Sequence, residues 1–289
     1  MKDYSNGIQK RQNEEKSICM LAAQRSLYNK AKNFNTISFI ISIILPLFLS
    51  FFLVRLGNDE KLRITLYIIV ILSMFLNLYL SSETKNIKKL AAFIQQKFDI
   101  YVYDMKWDKH LFGKNKNVDD DIVEYSNKII NTPAERESLT NWYVSSVDNK
   151  PLNKAILICQ RENFSWDCGL RKRAKYFYTI LILVLIFIVF IIGIINNEVV
   201  NKLLERIVFI IPMLRWLFTI CQDLTNDITR LKDIDVKINS NNDKNIEDLK
   251  EIQRDIFEHR KNCYTIPNWL YKFFKNNEED KQHRLANMK

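Results

Sequence analysis

From Thr36 to Val54 the chain carries no charged side chain, and the run is close to the ~20 residues an α-helix needs to cross ~30 Å of hydrocarbon. Two further stretches repeat the pattern: Ile64 to Leu80, with the amide of Asn77 inside it, and Tyr176 to Ile195, the most hydrophobic part of the chain. Leu203 to Ile220 is the fourth candidate and contains Glu205, Arg206 and Arg215, each of which costs ~2.5–3.5 kcal/mol at the centre of an inserted helix. It is read as a span because Val208 to Leu214 is wholly apolar and Glu205 and Arg206 lie near one end. A buried or interfacial helix is the alternative there. An overall hydrophobic content of 47% would suit a soluble domain, but the apolar residues are concentrated in these runs, between segments rich in Lys, Asn, Asp and Glu.

The connectors Gly57 to Arg63 and Asn196 to Lys202 are too short for domains, so the spans pair as two hairpins. Ile- and Leu-rich runs and only five Gly and five Pro favour long helices over a turn-rich β architecture. The expected fold class is therefore an all-α integral membrane protein, four transmembrane helices forming two hairpins with a mainly helical cytoplasmic region. Cations fix the orientation. Lys10, Arg11, Lys16, Arg25, Lys30 and Lys32 precede the first span, Lys85, Lys88 and Lys89 follow the second, and Arg171, Lys172, Arg173 and Lys175 precede the third. By the positive-inside rule both termini and the central segment lie in the cytoplasm. The expected organisation is a cytoplasmic N-terminal amphipathic helix over 1–35, transmembrane hairpin 1 over 36–80, a central cytoplasmic region over 81–175, transmembrane hairpin 2 over 176–220 and a cytoplasmic C-terminal helical region over 221–289. The polar first 35 residues do not read as a signal peptide.

The net charge of +10 is largely accounted for by these flanks, which makes anionic headgroups the default partner and gives no reason to invoke a nucleic acid polymer. Cys19, Cys159, Cys168, Cys221 and Cys263 form no CxxC pair and read as reduced thiols. His110, His259 and His283 are scattered, so neither a metal site nor a cofactor is indicated. No nucleophile elbow, P-loop or dinucleotide fingerprint is found, no catalytic residue is nominated, and the chain does not read as an enzyme.

Outside the spans, Ile18, Leu21, Ala22, Arg25, Tyr28 and Lys32 have helical spacing, which predicts one amphipathic helix from Gln9 to Asn35 running into the first span. Asn86 to Gln96 extends the second span. Phe98 to Tyr103 alternates β-branched and aromatic residues and predicts a short strand. A turn over Gly113 to Asn117 and helices over Val118 to Asn131 and Ala134 to Tyr143 follow, with Thr132 and Pro133 as N-cap and first-turn pair. Pro151 opens a helix leading into the third span. Leu224, Ile228, Leu231 and Ile234 carry the fourth span inward, and Ile246 to Lys261 forms the last helix.

One segment is chemically distinctive. On a helix Gln160, Asn163, Asp167 and Arg171 make a single polar line flanked by Phe164 and Trp166. That line suits a ligand, with guanidinium groups for phosphates and an aromatic plane for a base. It equally suits an Asp167–Arg171 pair beside solvated cations that face headgroups.

The string Cys159 Gln160 Arg161, Asn163, Trp166 Asp167, Leu170 Arg171 and Arg173 resembles the signature of the SMODS-associating four-transmembrane effector family of bacterial CBASS anti-phage systems. Gln12 Asn13, Leu21 Ala22 Ala23 Gln24, Leu27 Tyr28 and Ala31 Lys32 are similar to that family's opening helix, and Phe98 Asp99 and Trp107 to its middle. Asn141 Trp142 Tyr143, Ile252 Gln253, Ile256, Arg260, Ile266 Pro267 and Tyr271 continue the likeness in order, so it covers nearly the whole chain. Cys168 Gly169 departs from the expected regular helix.

The resemblance implies an effector of the bacterial inner membrane. It would sense, through region 81–175, a cyclic di- or oligonucleotide made by a partner nucleotidyltransferase, and then disrupt or permeabilise the membrane as a homo-oligomer, causing abortive infection. It makes Arg161 and Arg171 candidates for phosphate contacts, Trp142, Tyr143 and Trp166 for base stacking, and Gln160 and Asn163 for base edges, with Asp167 in the same line. Asn77 and Arg215, polar groups at membrane depth, are pore-lining candidates; Arg215 could instead snorkel to the interface. Two rival classes are a constitutive or otherwise gated oligomeric channel and a membrane anchor that recruits a soluble partner.

Overall fold

The computed structural model describes residues 5–46, 48–49, 60–196, 200–240 and 243–274; at Arg63, 164–166, 201–206, 208 and 209 it describes the backbone alone. Every regular element among the described residues is helical. A short α1 (Ile8–Gln12) precedes α2 (Glu15–Phe39), which continues through a π-helical turn at Ile40–Ile44. Then come α3 (Glu60–Val102), α4 (Lys109–Phe112), α5 (Asp119–Ile130), α6 (Pro133–Glu137), a 3₁₀ turn at Ser145–Val147, α7 (Leu152–Ile195), α8 (Val200–Asn239) and α9 (Ile246–Asn262). A last helical stretch covers residues 268–274.

Length and exposure divide the long helices between two solvents. The 43 residues of α3 and 44 of α7 correspond to ~65 Å of helix at 1.5 Å per residue, twice a bilayer's hydrocarbon depth. Both are long and apolar enough to cross a membrane, yet only 17% of each apolar window is buried. Ile68, Leu72, Phe75 and Tyr79 on α3, and Leu183, Phe187 and Ile194 on α7, stand exposed. In water so continuous an apolar surface would be an aggregation site, whereas lipid is its matching solvent. These helices carry the second and third expected spans. The stretch expected as the fourth lies in α8, which remains helical through Pro212, but among the described residues only α3 and α7 are long and apolar enough to cross a membrane. Of the first span, Leu47 and Ser50 to Val54 lie outside the described residues, as do residues 57–59 of the connector Gly57 to Arg63 and residues 197–199 of the connector Asn196 to Lys202.

The polar ends of the same helices gather into a bundle. Ile87, Ala91, Ile94, Phe98 and Val102 recur at helical spacing on α3 and are all buried, packed with Ile18, Leu21, Ala22 and Leu27 of α2 and Ile252 and Ile256 of α9. This stripe explains why Phe98 to Tyr103 is not the expected strand. Local β preference is a weak force, and burying Phe98 and Val102 in register with the preceding three turns outweighs it. A second cluster, Leu170, Ala174 and Tyr178 of α7 with Leu217, Ile220 and Leu224 of α8 and Ile266 and Leu270, lies where bundle and spans meet.

Other departures also have local causes. The expected continuous helix Gln9 to Asn35 is broken before α2, where Glu14 is extended. Asn13 donates to the Gln9 carbonyl and to Asn141 Oδ1, and accepts from the Asn141 backbone N–H at 2.8 Å. The helix expected over Ala134 to Tyr143 stops at Glu137, and Asn141 takes a left-handed φ of 50°, a conformation asparagine tolerates well. Thr132 occupies the N-cap of α6 without a side-chain cap bond. Across Cys168 and Gly169, by contrast, α7 runs unbroken.

Candidate ligand cavity

α7 carries Gln160, Asn163, Asp167 and Arg171 along one line, as their spacing predicts, and α8, α9 and the segment after α9 pack against it. Two buried polar networks result. In the first, the fully buried carboxylate of Asp99 accepts from Tyr143 Oη at 2.7 Å, Gln253 Nε2 at 2.8 Å and Arg260 Nη1 at 2.5 Å. Tyr143 Oη in turn accepts from Tyr103 Oη at 2.8 Å and from Asn163 Nδ2 at 3.0 Å. Gln253 also donates to Gln96 Oε1 and accepts from Gln160 Nε2 at 3.1 Å. Burial, with Asp99 close by, drives the Tyr143 hydroxyl well above its ordinary range, so it remains a donor.

The second network is centred on Arg171, itself buried. Its Nε donates to Asp167 at 2.9 Å, and its Nη1 to Asp227 at 2.6 Å and to the Tyr264 carbonyl at 2.9 Å. His259 Nε2 lies 2.8 Å from Asp167. Burial by itself would raise the Asp167 carboxyl, but Arg171 and His259 outweigh it and hold the group well below the usual carboxylate range. With Asp167 ionised, His259 Nε2 donates to it, and the buried Nδ1 has no hydrogen-bond partner among the described residues.

Between these networks and α2 is a cavity of about 330 Å³, within the size range of small-molecule sites. α2 contributes Gln24, Arg25, Tyr28 and Lys32, α7 contributes Asn163, Asp167 and Arg171, and α9 contributes His259 and Arg260. Trp142, Tyr264 and Tyr271 add aromatic surface, and Asp167 is the one carboxylate among the described lining residues.

The two walls hold their cations differently. Arg171 and Arg260 are committed to carboxylates, and those carboxylates raise both above the ordinary arginine value despite burial. Arg25 Nη1 donates to the hydroxyl of Ser138 at 2.6 Å. Lys32 Nζ donates to the amide oxygen of Asn268 at 2.7 Å and lies 5.7 Å from the Tyr271 ring centroid. Burial lowers Arg25 and pushes the Lys32 ammonium down to about 8.

Of the residues singled out in the sequence, Trp142, Asn163, Asp167 and Arg171 meet in this cavity. Tyr143 packs behind it in the first network, and Gln160 turns towards α9, donating to the Leu249 carbonyl at 2.9 Å. Arg161 bonds to Asn239 at 3.0 Å, away from the cavity lining. The side chain of Trp166 lies outside the described residues. In the spans, Asn77 Oδ1 accepts from Ser38 Oγ, bridging α3 to α2, and Arg215 is exposed on α8. Arg25, Lys32, His259 and Arg260 were not singled out as ligand residues. Their sequence signal is the positions of Arg25 and Lys32, which continue the stripe of Leu21 and Tyr28 where an apolar residue would be expected.

The family model described as the SMODS-associating 4TM effector domain matches residues 6–288. A protein of Bacillus cereus (strain VD146), described as "Probable CBASS effector molecule", is 26% identical over 287 residues, covering 95% of this chain and 95% of its own. No solved structure matches the chain. The chain belongs to the SMODS-associating 4TM effector domain family, and is a helical membrane protein.

Proposed function

We propose that this member of the 4TM effector family is a CBASS anti-phage effector that senses a cyclic oligonucleotide in the cavity of its cytoplasmic bundle and then permeabilises the inner membrane. The observation that carries the reading is the cavity itself, an aromatic-lined space with four cations and one described carboxylate on its walls, built from helices that continue into the spans. Phosphodiesters supply the missing negative charge, and bases supply faces for Trp142, Tyr28 and Tyr271. A partner nucleotidyltransferase supplies the ligand. The chain acts by binding, with no catalytic residue, metal or cofactor.

Four spans in two hairpins, with both termini and residues 81–175 in the cytoplasm, put this cavity on the side where the messenger is made. A ligand that binds one placement of α2 across the cavity from α9 better than another shifts the population between them, and α2 transmits the difference to the first span. The apolar lipid-facing surfaces of α3 and α7 give a single chain little conduit, so permeabilisation requires a homo-oligomer, with Asn77 and Arg215 as candidates for its polar lining.

Dye-loaded liposomes carrying the purified protein test the reading. Release on adding a cyclic di- or trinucleotide, and none without it, is expected. Release without ligand would instead mark a constitutive channel, and no release under any condition would mark an anchor.

A further inference from the structure

We infer that Arg25 and Lys32 of α2 are the pair that takes the ligand's phosphates, one phosphodiester each. This rests on the reading of the cavity as a messenger site, and it assigns the anion contacts to the wall opposite the polar line of α7.

Four cations line the cavity, and two of them are already spoken for. Arg171 is paired with Asp167 and Asp227, and Arg260 with Asp99. Drawing either towards a phosphate would strip a buried carboxylate of its counter-ion, and breaking a buried pair in this way is strongly unfavourable. Arg25 and Lys32 have no ion-pair partner among the described residues; each meets a neutral oxygen, of Ser138 and of Asn268. Exchanging that oxygen for a phosphate oxygen replaces a neutral hydrogen bond with a charge-assisted one, which is shorter and roughly twice as strong. Both cations are also partly stripped of water in the free protein, and burial lowers the pKa of each. Much of the desolvation that binding demands has therefore occurred on folding.

The spacing sets the stoichiometry. Arg25 and Lys32 lie two helical turns apart on one face, roughly 10.5 Å along the axis, too far for one phosphate and suited to two in the same ligand. Tyr28 lies between them on the same face and lines the cavity. The site selects a compound with two separated phosphodiesters flanking an aromatic contact. Taking Lys32 from Asn268 also removes one of the bonds that fasten α2 to residues 265–268; the others, Asn35 to Thr265 and Asn268 to Asn29, are left in place.

The test uses the full chain in lipid nanodiscs, titrated with a panel of cyclic di- and trinucleotides. R25Q and K32Q should each weaken binding by about tenfold and the double variant by about a hundredfold, as for loss of one charge-assisted contact each. R25K and K32R should recover part of the loss. A double variant that binds as tightly as wild type, while wild type binds a member of the panel, overturns the pair and leaves the messenger reading standing. If wild type binds no cyclic nucleotide, that reading fails and inorganic phosphate, which each cation can take separately, becomes the probe. A rise in wild-type melting temperature with phosphate, absent in the double variant, would sustain the anion pair on its own. No rise would overturn it.

Discussion

The wall of the cavity made by α7 and α9 and the wall made by α2 both present cations, yet they solve the problem of burying charge in opposite ways. Arg171 and Arg260 meet three carboxylates, and the donors around those carboxylates include Tyr143, Gln253 and the Tyr264 backbone N–H. Arg25 and Lys32 are held by neutral oxygens. A network of paired charges fixes a packing, because losing a partner leaves a charge poorly compensated in low dielectric. Unneutralised cations do the reverse, storing an electrostatic cost that an arriving anion relieves.

The largest effect expected from this contrast is on the ion-paired wall. Arg260→Ala strips Asp99 of its counter-ion and should cost about 3–5 kcal/mol, and Arg171→Ala, which leaves Asp227 to Arg230 and Asp167 to His259, should cost less; both are read as a lower unfolding midpoint of the detergent-solubilised protein. An unchanged midpoint would mean that the wall is not held by these pairs. Next in size is Tyr143→Phe, which removes the bond to Asp99 and the acceptor for Asn163 and Tyr103, for about 1–3 kcal/mol. On the other wall the sign reverses. Lys32→Gln and Arg25→Gln remove charges that burial penalises, so the midpoint should hold or rise slightly, within the ~0.5 kcal/mol of an ordinary surface change, while ligand binding is lost. A large destabilisation would erase the distinction between the walls.

The smallest effect is on pH dependence. Lys32, pushed down to about 8 by burial against a smaller opposing effect of Cys263, with the Tyr271 ring beside it and Asn268 as its acceptor, is half-deprotonated near that pH in the free protein. Anion binding needs the ammonium and takes up a proton above that point, so affinity should fall as pH rises from 7 to 9. The sign for folding is opposite. The unfolded lysine titrates near 10.5 and binds more protons between the two values, so stability gains as pH rises through that window. In Lys32→Arg the affinity should be flat over the same range.

What could be read from the chain alone follows the reach of the forces involved. The second and third spans were legible because a bilayer imposes length and apolarity on one contiguous stretch, and α3 and α7 carry Ile64 to Leu80 and Tyr176 to Ile195 as expected. The polar line of α7 was legible because its residues share one helix. What the line would meet was not. Gln160 turns to α9 and Arg161 to Asn239, whereas Asn163, Asp167 and Arg171 reach the cavity, because partners come from α3, α8 and α9, scores of residues away. For the same reason Arg25 and Lys32 read as flanking cations that set orientation. Their register with Leu21 and Tyr28 is in the sequence, but only packing shows that they face a cavity whose other cations are already paired. The strand expected at Phe98 failed in the same way, since local alternation contains nothing about the stripe of α3 it had to join.

The central claim is that a cyclic oligonucleotide occupies the cavity between α2 and α9, and a cryo-EM map of the nanodisc-embedded protein with the bound nucleotide addresses it most directly. The expected map has ligand density enclosed by Tyr28, Trp142 and Tyr271, with its two phosphates against Arg25 and Lys32 and the Arg171 and Arg260 pairs intact. Density elsewhere on the protein, or a bound state in which Asp99 and Asp167 have surrendered their arginines to the ligand, would contradict it.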